Sequence, residues 1–211
     1  MFDLDGTLVD TVDVRIAAWK AAFAEVGIAA SDAELAPMIG SDGRRLAREV
    51  AAAHGRELDR DGAEELDRRS GELYDELNRS PRALPGAHRL LEALDAVGVR
   101  WAIATSSRRE QVRASIAALE LGHPPLIVDG SHVEHAKPAP DLLLLAAREL
   151  DLPAPRCWYV GDATWDMRAA VAAGMPAVAV TAGAAVGEDA LREAGATLVV
   201  ATLDELVPHL P

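Results

Sequence analysis

Downstream of Pro85 the chain alternates short apolar runs with helical stretches, and that alternation leaves few folds open. Strands are expected at 99–104, 126–128, 156–160, 177–180 and 197–200. Helices are expected at 88–96, 107–119, 140–150, 164–173 and 188–194, with one more after residue 200. Gly98, Gly174 and Pro176 mark helix ends in this region. Parallel pairing needs a long crossover, so strands separated by helices assemble into a parallel sheet with helices on both faces. The expected fold class is therefore α/β, a doubly wound parallel sheet that binds ligands at the carboxyl ends of its strands.

Residues 11–80 have a different texture. Val14, Ala18, Ala21, Ala22 and Val26 recur at spacings of three and four, with Trp19 and Phe23 alongside, and Gly27 closes this first helix. Ser31 with Glu34 forms a capping box at the start of a second. After the turn Gly40-Ser41-Asp42-Gly43, the residues Leu46, Val50 and Ala53 continue a third, and a strongly charged fourth spans 61–78. Four helices without a strand make a small bundle, read as an inserted cap. Ser80-Pro81-Arg82 and Leu84-Pro85-Gly86 punctuate its end. The expected domains are a core of 1–11 with 81–211 and a cap of 12–80.

The chemistry concentrates at the rim of the expected sheet. Phe2-Asp3-Leu4-Asp5-Gly6-Thr7-Leu8 places two carboxylates two positions apart on an extended segment, so they share a face. Two like charges that close repel unless a cation lies between them. Met1 to Leu4 is short for a central strand, so the strand begins upstream of this sequence or the sheet tolerates a stub. On its own Asp-x-Asp-Gly-Thr is equally an acidic turn. Later strands supply partners for it: Thr105-Ser106-Ser107 offers hydroxyls and opening helix amides for an anion. Ser107 with Glu110 also fits a capping box. Lys137 lies in His135-Ala136-Lys137-Pro138-Ala139-Pro140-Asp141, just before a helix, and is the one lysine of the core. Asp162 and Asp166 are four apart at another strand end, able to face one point from a strand and the following helical turn. His132 and His135 are three apart but lack further ligands for a transition metal.

Composition excludes several roles. A formal charge of −13 is wrong for nucleic acid and for an anionic membrane surface. The single cysteine, Cys157, sits in an apolar run and reads as a core thiol, which fits a reducing, cytoplasmic setting.

These four motifs in this order resemble the haloacid dehalogenase-like (HAD) hydrolase superfamily, in the subgroup whose helical cap lies between the first two motifs, the phosphoglycolate phosphatases and beta-phosphoglucomutase-like proteins. The resemblance spans essentially the whole chain. It implies a Rossmann-like core with an inserted four-helix cap, and catalysis by Asp3, Asp5, Thr105 and Lys137. Asp3 would be the nucleophile that forms an aspartyl-phosphate, and Asp5 the acid/base. Gly6, Thr105, Ser106 and Lys137 would bind the phosphate, and Arg44 or Arg45 in the cap could read a second anionic group. Asp3, Asp5 (through its carbonyl), Asp162 and Asp166 would hold Mg²⁺ directly or anchor its ligands. The implied partner is a small phosphorylated metabolite, with a monomer or weak homodimer and neither nucleic acid nor membrane. Dehalogenases and phosphonate-cleaving members lack a carboxylate at the position of Asp5, which disfavours both. A sugar-phosphate mutase is the alternative, but such mutases usually carry a histidine where this chain has Arg15, and that histidine restrains the acid/base. A non-catalytic binding protein on the same fold is the remaining alternative.

Overall fold

Three residues serve as the central strand of the main sheet. The computed structural model describes residues 1–109 and 111–211. In it Phe2 N–H donates to Ala102 O at 3.0 Å and Ala104 N–H returns to Phe2 O at 2.8 Å. On the other side Asp3 N–H donates to Val160 O and Val160 N–H to Met1 O, both at 2.9 Å. Both edges of this stretch are thus paired to neighbouring strands, which holds Asp3 at the sheet rim.

In chain order the elements are β1 (Val9–Asp10), α1 (Val12–Glu25), α2 (Asp32–Leu35), α3 (Gly43–Ala53) and α4 (Arg60–Leu77). Next come β2 (Arg82–Ala83), α5 (Ala87–Ala96), β3 (Ala102–Ala104), α6 (Arg113–Ala117), β4 (Leu126–Val128) and α7 (Asp141–Glu149). The last are β5 (Tyr159–Gly161), α8 (Thr164–Ala172), β6 (Ala177–Val180), α9 (Glu188–Glu193) and β7 (Leu198–Val200), followed by a 3₁₀ stretch, Leu203–His209. The parallel sheet runs β4–β3–stub–β5–β6–β7.

Alternation along the strands sorts the core onto two faces. Ala102, Ala104, Tyr159, Ala177 and Ala179 meet Leu143 and Ala146 of α7, Met167 and Ala170 of α8 and Leu191 of α9. Phe2, Ile103, Val160, Val178 and Val180 meet Leu90, Leu91 and Leu94 of α5 together with Leu203 and Leu206. Helices therefore cover both sides, as a doubly wound sheet requires. Helices α1 to α4 share a separate apolar core of Ile16, Trp19, Phe23, Leu35, Leu46, Val50 and Leu66, the helical cap. The Ser31–Glu34 capping box forms as expected.

Several elements differ from the sequence reading. Strand β3 begins at Ala102, not 99, and strand β5 begins at Tyr159 after a 3₁₀ turn, Ala154–Arg156. Of the helix expected over 107–119, only Arg113–Ala117 is regular helix among the described residues, and Val112, not Ser107, stands at its N-cap. Its expected capping partner, Glu110, lies outside the described residues. The last helix is 3₁₀. An antiparallel pair not expected from sequence, β1 with β2, joins the two chain segments that lead into and out of the helical bundle. Among the described residues no helix is long and apolar enough to cross a membrane.

Candidate active site

Gly6 is the residue that lets the two halves of the rim meet. Its φ is +78°, and its N–H donates to Val9 O at 2.8 Å to close the turn after Asp5. A Cβ there would lie 2.3 Å from Asp162 Oδ2, so only glycine admits Asp162 this close. Thr7 in the same turn donates to Asp162 Oδ1 at 2.6 Å. Gly161 plays a similar part for Asp166, whose Cβ would be 2.4 Å from a side chain at that position. Asp166 Oδ2 accepts the N–H groups of Asp162 and Ala163 at 3.2 and 2.9 Å, tying the end of β5 to the first turn of α8.

Asp3, Asp162 and Asp166 are brought together, each buried, with one carboxylate oxygen from each lying within 4.8 Å of the others. Lys137 is buried with them: its Nζ is 3.0 Å from Asp3 Oδ2 and 2.8 Å from Asp166 Oδ1. Neither contact is aligned as a hydrogen bond, so the ammonium keeps donors to offer. Burial works against its charge, but Asp166 and Asp3 outweigh that and push its pKa up to about 12. Burial pushes the Asp3 carboxyl up to about 7; Asp166 and Asp5 add to the rise and Lys137 opposes it. Asp162 is also raised, by burial first and then by Asp166 and Asp3. Three buried carboxyl groups thus face one ammonium, and among the described residues Asp3 Oδ1 has no hydrogen-bond partner. An oxygen-rich cluster with an orphaned carboxylate atom fits a hard divalent cation.

Asp5 is held apart from this cluster by donors from four places. Its Oδ1 accepts from Thr11 Oγ1 at 2.8 Å and from Tyr74 OH of α4 at 2.9 Å. Its Oδ2 accepts from Arg15 Nη2 of α1 at 2.9 Å and from Ser107 Oγ at 2.6 Å. Burial would raise the carboxyl, but Arg15 and then the hydroxyl donors prevail and its pKa is lowered. The Arg15 guanidinium stacks 3.5 Å over the Tyr74 ring, and Asn78 Nδ2 donates to the Tyr74 hydroxyl at 2.8 Å. Arg15 therefore does restrain Asp5, which the sequence argument from a missing histidine did not anticipate.

A cavity of about 90 Å³ lies between the sheet rim and the helical bundle, lined by Asp3, Asp5, Thr105, Ser106, Asp162 and the cap residues Trp19, Ile39 and Asp67, among others. Thr105 is buried and accepts Ser107 N–H at 3.2 Å, while Ser106 Oγ is buried without a partner. Arg44 does not line the cavity: its Nη2 pairs with Asp42 Oδ2 at 2.6 Å, and its Nη1 is 3.7 Å from Glu64. His132 and His135 are engaged with Asp129 and Asp141 and join no ligand cluster among the described residues. Thr7, Tyr74 and Asn78 were missed from sequence. Thr7 could have been found from its place in the Asp-Gly-Thr turn; a tyrosine inside a charged helix carries no such signal.

Comparison with known proteins agrees with this geometry. A model of the haloacid dehalogenase-like hydrolase family matches residues 1–180. The chain is 34% identical over 194 residues to a phosphoglycolate phosphatase of Xanthomonas campestris pv. campestris (strain 8004), covering 90% of this chain and 85% of that one. It is 34% identical over 182 residues to hexitol phosphatase A of Escherichia coli (strain K12), covering 86% and 82%. A solved hydrolase from Pseudomonas syringae superposes with a TM-score of 0.93 at 34% identity, covering 99% of this chain and 95% of that one. The chain belongs to the haloacid dehalogenase-like hydrolase family.

Proposed function

We propose that this protein is a Mg²⁺-dependent phosphatase that hydrolyses the monoester of a small metabolite through an aspartyl-phosphate on Asp3. The observation that carries this reading is the orphaned Asp3 Oδ1, buried at the cavity wall where Ser106 Oγ also lacks a partner. A buried polar atom left unpaired costs free energy: a phosphate would accept from the Ser106 hydroxyl, while its phosphorus gives the unpaired Asp3 Oδ1 an electrophile to attack. The named phosphatases among the relatives support the same reaction class.

Thr105, Ser106 and Lys137 bind the phosphoryl oxygens, and Lys137, 3.0 Å from Asp3 Oδ2, favours the ionised form of that carboxyl against its burial. Asp3 Oδ1 attacks phosphorus, and the bond to the ester oxygen breaks as Asp5 delivers a proton to the leaving alcohol. Asp5 then takes a proton from water, which attacks phosphorus and frees inorganic phosphate and Asp3. For the first step Asp5 must carry a proton, so the Arg15 and Tyr74 contacts that hold it ionised have to loosen as the bundle moves. Asp3, the Asp5 carbonyl and Asp162 would hold Mg²⁺, which offsets charge between the carboxylate and the anion. Both Asp166 oxygens already face protein donors, which suits an anchor better than a ligand. The core is taken as 1–11 with 81–211, and the cap as 12–80. A cytoplasmic setting fits the lone buried thiol, Cys157.

Phosphate release from p-nitrophenyl phosphate and a panel of small monoesters, with Mg²⁺ and with EDTA, tests the proposal. Magnesium-dependent release is expected. A folded protein that releases phosphate from none of them would overturn it.

A further inference from the structure

The relatives named above act on an acid in one case and a polyol in the other, and the wall opposite Asp3 distinguishes these chemistries. Among the described residues lining the cavity there are four carboxylates, Asp3, Asp5, Asp67 and Asp162, and a single cation, Arg15. Arg15 is already committed to Asp5 and Ser107, both at 2.9 Å. The guanidinium groups nearby are committed too: Arg44 to Asp42, Arg45 to Glu49, and Arg108 to Glu64 and Asp67 at 2.8 and 2.9 Å. Among the described residues each of these guanidinium groups already has a carboxylate partner, so a second anionic group of a substrate would have to compete for it.

The same wall is well supplied for hydroxyls. Asp67 offers carboxylate oxygens, and it reaches the wall because α3 starts with glycine: a Cβ on Gly43 would lie 1.8 Å from Asp67 Oδ1. Gln111 is admitted in the same way, since a Cβ on Gly71 would lie 2.4 Å from its Nε2. Its Oε1 accepts Arg108 N–H at 3.0 Å, which fixes the amide and leaves Nε2 as the free end. Ser70 lines the cavity beside them, and among the described residues neither its hydroxyl nor Gln111 Nε2 has a protein partner. Burial already pushes the Asp67 carboxyl up, with Arg108 opposing, so another anion here would meet an unfavourable field.

Resting on the phosphatase reading, we infer that the leaving group of the preferred substrate is uncharged and hydroxylated: a polyol or sugar phosphate, not the phosphate ester of a carboxylic acid. Its hydroxyls donate to Asp67 and accept from Gln111 and Ser70. A carboxylate in the same place would face Asp67 with no counter-charge.

Hydroxyethyl phosphate and phosphoglycolate make the minimal test, because they differ chiefly by the charge of one end. With Mg²⁺, kcat/KM is expected to favour hydroxyethyl phosphate by about tenfold or more, and glycerol phosphate and sorbitol phosphate to share that preference. Asp67→Asn should shrink the ratio at least about threefold, and Ser70→Ala should lower kcat/KM for the polyol phosphates more than for p-nitrophenyl phosphate. Phosphoglycolate turned over as well as or better than hydroxyethyl phosphate, with p-nitrophenyl phosphate also hydrolysed, overturns the inference and leaves the phosphatase reading standing. No release from any ester, p-nitrophenyl phosphate included, overturns both.

Discussion

Tyr74→Phe deletes one oxygen from the wall that restrains Asp5 and leaves the ring in place. The hydroxyl donates to Asp5 Oδ1 at 2.9 Å and accepts from Asn78 Nδ2 at 2.8 Å, and the side chain is fully buried. A hydrogen bond to an ionised group contributes about 1.5–3 kcal/mol. Asn78 would keep only a long contact of 3.4 Å to Ser115 Oγ, which adds about 1 kcal/mol for a poorly paired buried donor. The stacking of Arg15 on the ring survives, because phenylalanine presents the same face. The expected loss is therefore about 2.5–4 kcal/mol, or roughly 5–16 °C in melting temperature for a chain of this size. Urea unfolding of Tyr74→Phe, Asp5→Ala and the double variant should give a coupling energy above about 1 kcal/mol. Loss of the donor also lets the Asp5 carboxyl rise, and because Asp5 must carry a proton in the first step, the basic limb of the kcat/KM profile should move to higher pH. A melting temperature within about 1 °C of the parent and an additive cycle would refute the claim that this hydroxyl holds Asp5.

Asp3→Asn should abolish phosphate release while circular dichroism and melting show an intact fold; residual turnover near the parent rate would sink the nucleophile assignment. In EDTA the folded Asp3 sits at about 7 against an ordinary 3.8, so the native state keeps a proton that the unfolded chain has released between those values. The metal-free protein should therefore lose stability as pH rises from about 4 to about 7, and Mg²⁺ should raise the melting temperature more at about pH 7.5 than at about pH 5. Equal shifts at both would count against a metal bound through Asp3. Gly6→Ala meets Asp162 Oδ2 at 2.3 Å and forces a Cβ into φ +78°, a strain of about 1–2 kcal/mol before any clash. Calorimetry should show weakened Mg²⁺ binding in that variant, and parent-like affinity would contradict the packing argument.

The parallel sheet was legible because its strands are apolar and separated by helical patterns, and Ala177–Val180 forms where it was expected. Other boundaries moved where side chains found partners that periodicity ignores. Ser107 looks like a helix cap with Glu110 in the sequence, yet its hydroxyl goes to Asp5. Arg44 looks like an anion reader in a cap turn, yet Asp42, two residues away, takes its guanidinium. The spacing of Asp3 and Asp5 suggested a cation shared between them, but the turn at Gly6 gives their carboxylates different partners, Lys137 for one and Arg15 for the other.

What the amino-acid sequence determined by itself was the local grammar: an α/β core with a helical bundle inserted, and acids, hydroxyls and one lysine at successive strand ends. These follow from periodicity and turn chemistry, which act over a few residues. Only the tertiary structure decided that the stretch around Phe2 lies at the centre of the sheet, because the hydrogen bonds that hold it come from Ala102, Ala104 and Val160, far along the chain. It also decided the electrostatics. Lys137 is an ordinary loop lysine until burial places it between Asp3 and Asp166, and Tyr74 is an ordinary helix residue until α4 packs across the mouth of the sheet and sets its hydroxyl on Asp5. Charge and hydrogen bonding depend on distance in space and on exclusion of water, and neither can be read from distance along the chain.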